Sequence, residues 1–222
     1  MMTKHHLKKK KENIMKSQDC LNLLREMRNV AFATVDAQGH PRNRIIDVMF
    51  VEENHLYFCT ARGKDFYQEL ITHPDVAITG LNSDWQTVRL TGKARRLTED
   101  HDQWIDRIFK ENPSMNGVYP GDSRYILDPF VIEAGELELF DLSSHPIHRE
   151  SFVFGQEGTA PLHGFFITDA CIECGTCQRG CPQGCIKSGT PFKIQQDACL
   201  HCGLCFENCP VSCIVRRGET AE

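Results

Sequence analysis

Apolar and polar positions alternate with period two through most of the first 140 residues, interrupted by three stretches with a helical period. In residues 14–29, Leu21, Leu24 and Met27 recur every three positions, which predicts a helix face. Residues 30–36 and 42–51 then read as strands, separated by a turn holding Gly39 and Pro41. After a turn at Glu52–Asn54, residues 55–60 form a third strand, and the short connections predict an antiparallel meander. Phe66, Leu70 and Ile71 give a second helix that must stop at Pro74. Residues 75–81 and 86–97 are strands, the longer with Gly92 as a bulge or bend. Thr98 suits a cap for a helix over 99–112, which ends before Pro113. A loop follows, and the chain is extended again from Tyr125 to Leu142. The pattern predicts a mainly β fold with helices, a closed or partly closed antiparallel barrel, because closure protects sheet edges.

Composition shifts after residue 142. Residues 143–164 are rich in Ser, Pro, Gly and His, with one apolar patch at Phe152–Phe154. The expected domains are a tail at 1–13, the barrel at 14–145, a linker at 146–163, a cysteine-rich domain at 164–217 and a short tail at 218–222. A chain of 222 residues can bury one good core and a small second one.

The formal charge of −5 argues against a dedicated nucleic-acid binder, although Lys8–Lys11 form a basic block. That block reads as a solvated tail, with contact to nucleic acid or acidic lipid as the alternative. No apolar run is long enough to span a bilayer. The basic start leads into polar sequence and not the apolar core of a signal peptide, so a cytoplasmic location is expected.

Twelve cysteines are present, two of them isolated: Cys20 and Cys59 read as buried small hydrophobes. The other ten fall into two runs: Cys171, Cys174, Cys177, Cys181 and Cys185, then Cys199, Cys202, Cys205, Cys209 and Cys213, each 28 positions later. Pro182 and Pro210 follow the fourth member of each run. Disulfides suit an oxidising compartment, and Cys-x2-Cys pairs also suit zinc. The tandem Cys-x2-Cys-x2-Cys-x3-Cys-Pro spacing favours iron–sulfur ligation.

Residues 164–217 resemble a bacterial two-cluster ferredoxin, including the apolar pieces before each run. That resemblance implies two [4Fe-4S] clusters with the fourth cysteine of each run crossing over. One cluster takes Cys171, Cys174, Cys177 and Cys209; the other takes Cys199, Cys202, Cys205 and Cys181. Cys185 and Cys213 stand where that family has a small apolar residue. They read as packed thiols, with a ligand or redox role as the alternative.

The barrel carries no Gly-x-Gly-x-x-Gly run, so a dinucleotide fold is unsupported. It does carry Arg42, Arg44, Arg62 and Lys64, with Thr60 and Gly63 beside the start of the second helix. Such a set suits a phosphate, with scattered surface charge as the alternative. Residues 15–142, through the segments PRNRIIDVMFV, HLYFCTARGK and VRLTGKARRL, resemble the pyridoxamine 5′-phosphate oxidase-like split barrels. The resemblance implies FMN between the subunits of a homodimer. It implies cofactor contacts from Arg44, Ile45, Ile46, Asp47, Thr60, Arg62, Gly63 and Lys64, with Gln86 and Thr87 completing the partner's site. His40 reads as a turn residue and Trp85 as core. The family's C-terminal basic, histidine-containing stretch is replaced here, so pyridoxamine phosphate oxidation is not expected.

Together these features predict an FMN- and iron–sulfur-dependent oxidoreductase or electron-transfer flavoprotein. It would join a two-electron reaction to one-electron transfer, with a redox protein or small molecule as partner. The alternative is a non-enzymatic electron carrier or redox sensor whose barrel serves docking and dimerisation.

Overall fold

The structure, a computed structural model, describes residues 15–218. The N-terminal tail with Lys8–Lys11, and residues 219–222, lie outside the described residues. Helix α1 (Ser17–Met27) opens the chain and buries Cys20, Leu21 and Leu24. Asp19 accepts a bond from the Lys16 N–H at 2.8 Å, satisfying one donor at its N-terminus. Strands β1 (Asn29–Val35), β2 (Pro41–Asp47), β3 (Phe50–Glu52) and β4 (His55–Ala61) follow. Helix α2 (Asp65–Thr72) then leads to β5 (Asp75–Leu81), β6 (Gln86–Arg96), α3 (His101–Glu111) and the 15-residue β7 (Leu127–Asp141). The segment expected to be one strand at 42–51 divides at Val48–Met49, because its two halves pair differently. β2 pairs with β1, and β3 pairs with β4.

One curled, antiparallel sheet runs in the order β2-β1-β5-β6-β7-β4-β3. β6 shifts register between Gly92 and Ala94, at the glycine expected to bend it. The residues expected to form a linker hold another strand, β8 (His148–Phe154), which pairs with β7 from Gly135 to Asp141. β7 outruns β4, which covers only Leu127–Ile132, and β8 takes up the remaining edge. The sheet thus remains an open half-barrel, with no strand on the far side of β2 among the described residues.

Inward-facing alternate residues make the core. Phe32, Phe58 and Phe130 are essentially fully buried, with centroids of Phe32 and Phe58 4.9 Å apart and of Phe58 and Phe130 5.4 Å apart. Each such burial contributes about 1.5–3 kcal/mol. A second cluster lies on the opposite face of the sheet, where Ile105, Ile108 and Phe109 of α3 cover Tyr57, Cys59 and Val131. Cys20 and Cys59 are both buried, as expected.

The cysteine-rich region repeats in structure as in sequence. β9 (Phe165–Ile167), α4 (Thr176–Gly180) and β10 (Ile186–Lys187) recur as β11 (Lys193–Ile194), α5 (Leu204–Glu207) and β12 (Ile214–Arg216). β9 pairs with β12, and β10 with β11, so the two halves interleave. A one-turn 3-10 helix at Gln196–Ala198 packs on β8, and the Gln183 side chain accepts the Ile147 N–H at 3.0 Å. These contacts seat the region against the barrel.

Candidate functional site

The backbone of each cysteine run is bent by paired left-handed residues. Glu173 and His201 both have φ +57°, while Gly175 and Gly203 have φ +71° and +83°. Only glycine adopts the latter values without strain, and each ends the loop at the start of a short helix carrying the third cysteine. The loop amides turn inward: the N–H of Glu173 donates to Cys171 Sγ and that of His201 to Cys199 Sγ, each at 3.4 Å.

Two spaces result. One is lined by Cys171, Cys174, Cys177 and Cys209. The other is lined by Cys199, Cys202, Cys205 and Cys181. The fourth cysteine of each run therefore stands in the opposite run's space, which follows from the interleaved strands. Their remaining walls are apolar, including Ile167, Phe192 and Ile214 on one side and Phe165, Ile186 and Ile194 on the other. Four soft thiols around a dry space match the chemistry of an iron–sulfur centre.

Cys185 and Cys213 also line these spaces. Their sulfurs lie 3.4 Å from those of Cys181 and Cys209, and both are buried. Burial pushes the Cys213 thiol up to about 12 and the Cys185 thiol still higher. Neutral thiols packed in an apolar wall are what such positions hold.

In the barrel, the far edge of β2 is free. Val48 N–H donates to Arg28 O and Asp36 N–H to His40 O, which fixes the parity of the β1–β2 ladder. Peptide groups of residues 42, 44 and 46 face β1, so those of Asn43, Ile45 and Asp47 face the open edge. Ile46 turns to the core, whereas Ile45 is 65% exposed on the outer face.

Arg44 turns inward. Its guanidinium meets Glu69 of α2 at 2.6 Å, bonds Thr34, and stacks 4.6 Å from the Phe66 ring. Its charge is already compensated by the buried Glu69, so it clamps β2 to α2. Asp47 is held by Arg28 at 3.2 Å and by Asn29. Lys64 stands exposed just before α2, with no side-chain partner among the described residues. Gly63 precedes it in open space. Burial pushes the nearby Cys59 thiol up to about 12, against the pull of the Lys64 ammonium and with the push of Asp47. Thr60 is buried, and its hydroxyl has no partner. The orphaned Thr60 hydroxyl and the exposed Lys64 ammonium, at the end of β4 and the start of α2, suit a polar, anionic ligand; Arg44 and Asp47 are otherwise engaged.

Arg62 belongs to a network that the sequence reading missed. Asp128, fully buried on β7, meets Arg62 at 2.9 Å, Arg96 at 2.6 Å and His101 at 3.1 Å. Burial pushes the Asp128 carboxyl up, but bonds from Arg62 and the Arg96 charge outweigh it and hold the group below the usual carboxylate range. Burial pulls His101 down, and its carboxylate and carbonyl partners raise it overall. The available signal was one carboxylate inside the apolar run ILDPFVI.

Gln86 and Thr87 lie on β6, with two strands between them and β2, about 14 Å along the sheet at normal strand spacing. One protomer does not bring them to the β2 edge. Ladder register does put Thr87 on the same outer face as Leu81, Thr79, Ala31 and Ile45. Gln86 bonds Asp141 and Asn82, each at 2.9 Å. Trp85, expected in the core, is instead 63% exposed on a turn with φ +61°. His40 is exposed in its turn, as expected. Among the described residues, no helix is long and apolar enough to cross a membrane.

Residues 17–124 match the family model described as pyridoxamine 5′-phosphate oxidase. Residues 168–184 and 196–212 match that of the 4Fe-4S binding domain. A NimC/NimA family protein from Clostridium acetobutylicum is similar in structure, with 25% identity and a TM-score of 0.53, covering 62% of this chain and 93% of that one. A pyridoxamine 5′-phosphate oxidase-related, FMN binding protein from Nostoc punctiforme matches at 14% identity and TM-score 0.43, over 63% and 93% of the two chains. A C. acetobutylicum protein related to general stress protein 26 matches at 11% identity and TM-score 0.49, over 63% and 96%. No curated protein matches. The chain joins a pyridoxamine 5′-phosphate oxidase-like split barrel to a region of the 4Fe-4S-binding type.

Proposed function

We propose that this protein is an FMN-dependent electron-transfer oxidoreductase that carries two [4Fe-4S] clusters. The observation that carries the reading is the crossed arrangement of cysteines around two apolar spaces, on a chain whose barrel leaves the far edge of β2 unpaired among the described residues. Bound FMN supplies two-electron chemistry that can be divided into single electrons, and each cluster moves one. The chain's own residues bind and orient these groups. Lys64 and the Thr60 hydroxyl would hold the anionic tail of FMN, and the Ile45 and Asp47 peptide groups would be free to hydrogen-bond the flavin. The Glu173 and His201 amides donate to thiolate sulfur. Arg44 and Arg62 act indirectly, by fixing β2 to α2 and by holding the Arg62–Asp128 corner.

The space lined by Cys181, Cys199, Cys202 and Cys205 is flanked by Gln183 and by the 196–198 turn, the two pieces that touch β8 and its approach. A cluster held there would be the one next to the barrel. Exposed Ile45 and Leu81 on the outer face, with Trp85 exposed on the turn after Leu81, support the homodimer that would bring Gln86 and Thr87 to a partner's FMN. Nothing in this site supports a named acid or base.

The test is anaerobic reconstitution followed by flavin and iron analysis. The reading expects one FMN and about eight irons per chain. Full iron with no affinity for FMN favours the carrier or sensor alternative.

A further inference from the structure

The barrel and the cysteine-rich region enclose a cleft of about 440 Å³ that none of the roles above uses. Its floor is the outer face of β6, β7 and β8; its roof is the chain around Gly164, His201 and Arg217. Four arginines and two glutamates line it, in a chain whose net charge is −5. Glu138 is already met by Arg89 and by Arg149, each at 2.5 Å. Arg149 is only 12% exposed and lies 4.5 Å from the Phe140 ring, so its position is fixed. Arg217 has no side-chain partner among the described residues; its backbone N–H donates to Gly164 O at 2.9 Å.

His201 forms the inner wall. Its Nε2 is buried without a hydrogen-bond partner, as is Nε of Arg149. A Cβ at Gly164 would lie 2.6 Å from His201 Nε2, so only glycine lets the ring sit there. Buried polar atoms without partners are costly, and excess positive charge over a concave surface is satisfied by an anion.

We propose that this cleft binds a small multivalent anion, a phosphate or a polycarboxylate, through Arg89, Arg149 and Arg217, with His201 as a neighbouring hydrogen-bonding group. The volume is that of an ordinary small-molecule site. His201 lies between Cys199 and Cys202, and its amide donates to Cys199 Sγ, so an occupant touches the loop of the barrel-facing cysteine set.

Isothermal titration of the full, iron-loaded chain at low ionic strength tests this, with inorganic pyrophosphate and citrate as separate probes. One saturable site is expected for at least one probe, and the preferred probe identifies the anion class. Loss of one charged hydrogen-bond donor weakens binding roughly tenfold or more, so Arg217→Ala and Arg89→Gln should each show that change. Arg107→Ala, whose partner Glu52 lies outside the cleft, should leave the affinity unchanged. Absence of saturable binding for both anions, or equal weakening by Arg107→Ala, overturns the proposal. The measurement involves neither flavin nor electron transfer, so its failure leaves the electron-transfer reading standing on its own test.

Discussion

Asp128→Asn removes one charge from the barrel while keeping the side chain's size. In the native chain the carboxylate is fully buried and meets two guanidinium groups and an imidazole within 3.1 Å. Breaking a buried ion pair on one side costs about 3–5 kcal/mol, because the remaining charge is stranded. Here the stranded groups are not equally trapped. Arg62 and Arg96 keep 40% and 37% of their side-chain surface exposed, and can turn to water. The expected loss is therefore nearer about 2–3 kcal/mol, or about 5–10 °C in the barrel's melting transition.

The pH dependence gives a second readout. Because Asp128 is depressed in the fold, its contribution is present above the ordinary carboxylate range and is lost as pH falls through the folded value. His101 is raised, so its contribution is present at low pH and is lost as pH rises through its folded value. The gap between wild type and variant should be full near neutrality and shrink below about pH 4. Thermal melts monitored by circular dichroism across that range decide the matter. A shift under about 1 °C at pH 7, or a gap that widens in acid, refutes the reasoning.

Four further variants probe the proposed sites. Lys64→Ala should weaken FMN binding roughly tenfold with iron content intact, read by fluorescence titration; unchanged affinity removes the phosphate role. Cys181→Ala should lose iron from the set built on Cys199, whereas Cys185→Ala should keep about eight irons, since that thiol packs beside the ligand set. Iron loss in Cys185→Ala makes it a ligand after all. Trp85→Ser combined with Leu81→Ser should shift a dimer toward monomer in light scattering, because both are large apolar side chains left largely exposed. A monomeric wild type contradicts the interface.

Local patterns were readable where one physical cause acts alone. β5 runs over Asp75–Leu81 with strict buried–exposed alternation, and its limits match the alternation in sequence. The 28-residue cysteine register predicted the repeated strands, and the ferredoxin resemblance implied the crossed cysteine sets that line the two spaces. Long-range effects were not readable. β8 is short and flanked by Ser, Pro and Gly, and only the excess length of β7 makes a strand there worthwhile. The division of β2 from β3 depends on two different partners and leaves no mark in a continuous apolar run. Arg44 and Arg62 looked alike as basic residues, and only the fold reveals that Glu69 and Asp128 neutralise them. Trp85 was misjudged because size suggests burial, while its turn position projects it outward.

The central claim is that flavin and clusters form one electron path within a chain. Anaerobic stopped-flow spectroscopy of the reconstituted protein tests it most directly, after selective photoreduction at the flavin. The account predicts that flavin reoxidation and cluster reduction proceed together at a rate independent of protein concentration. A rate that scales with protein concentration, or reduced flavin beside clusters that stay oxidised, would contradict it.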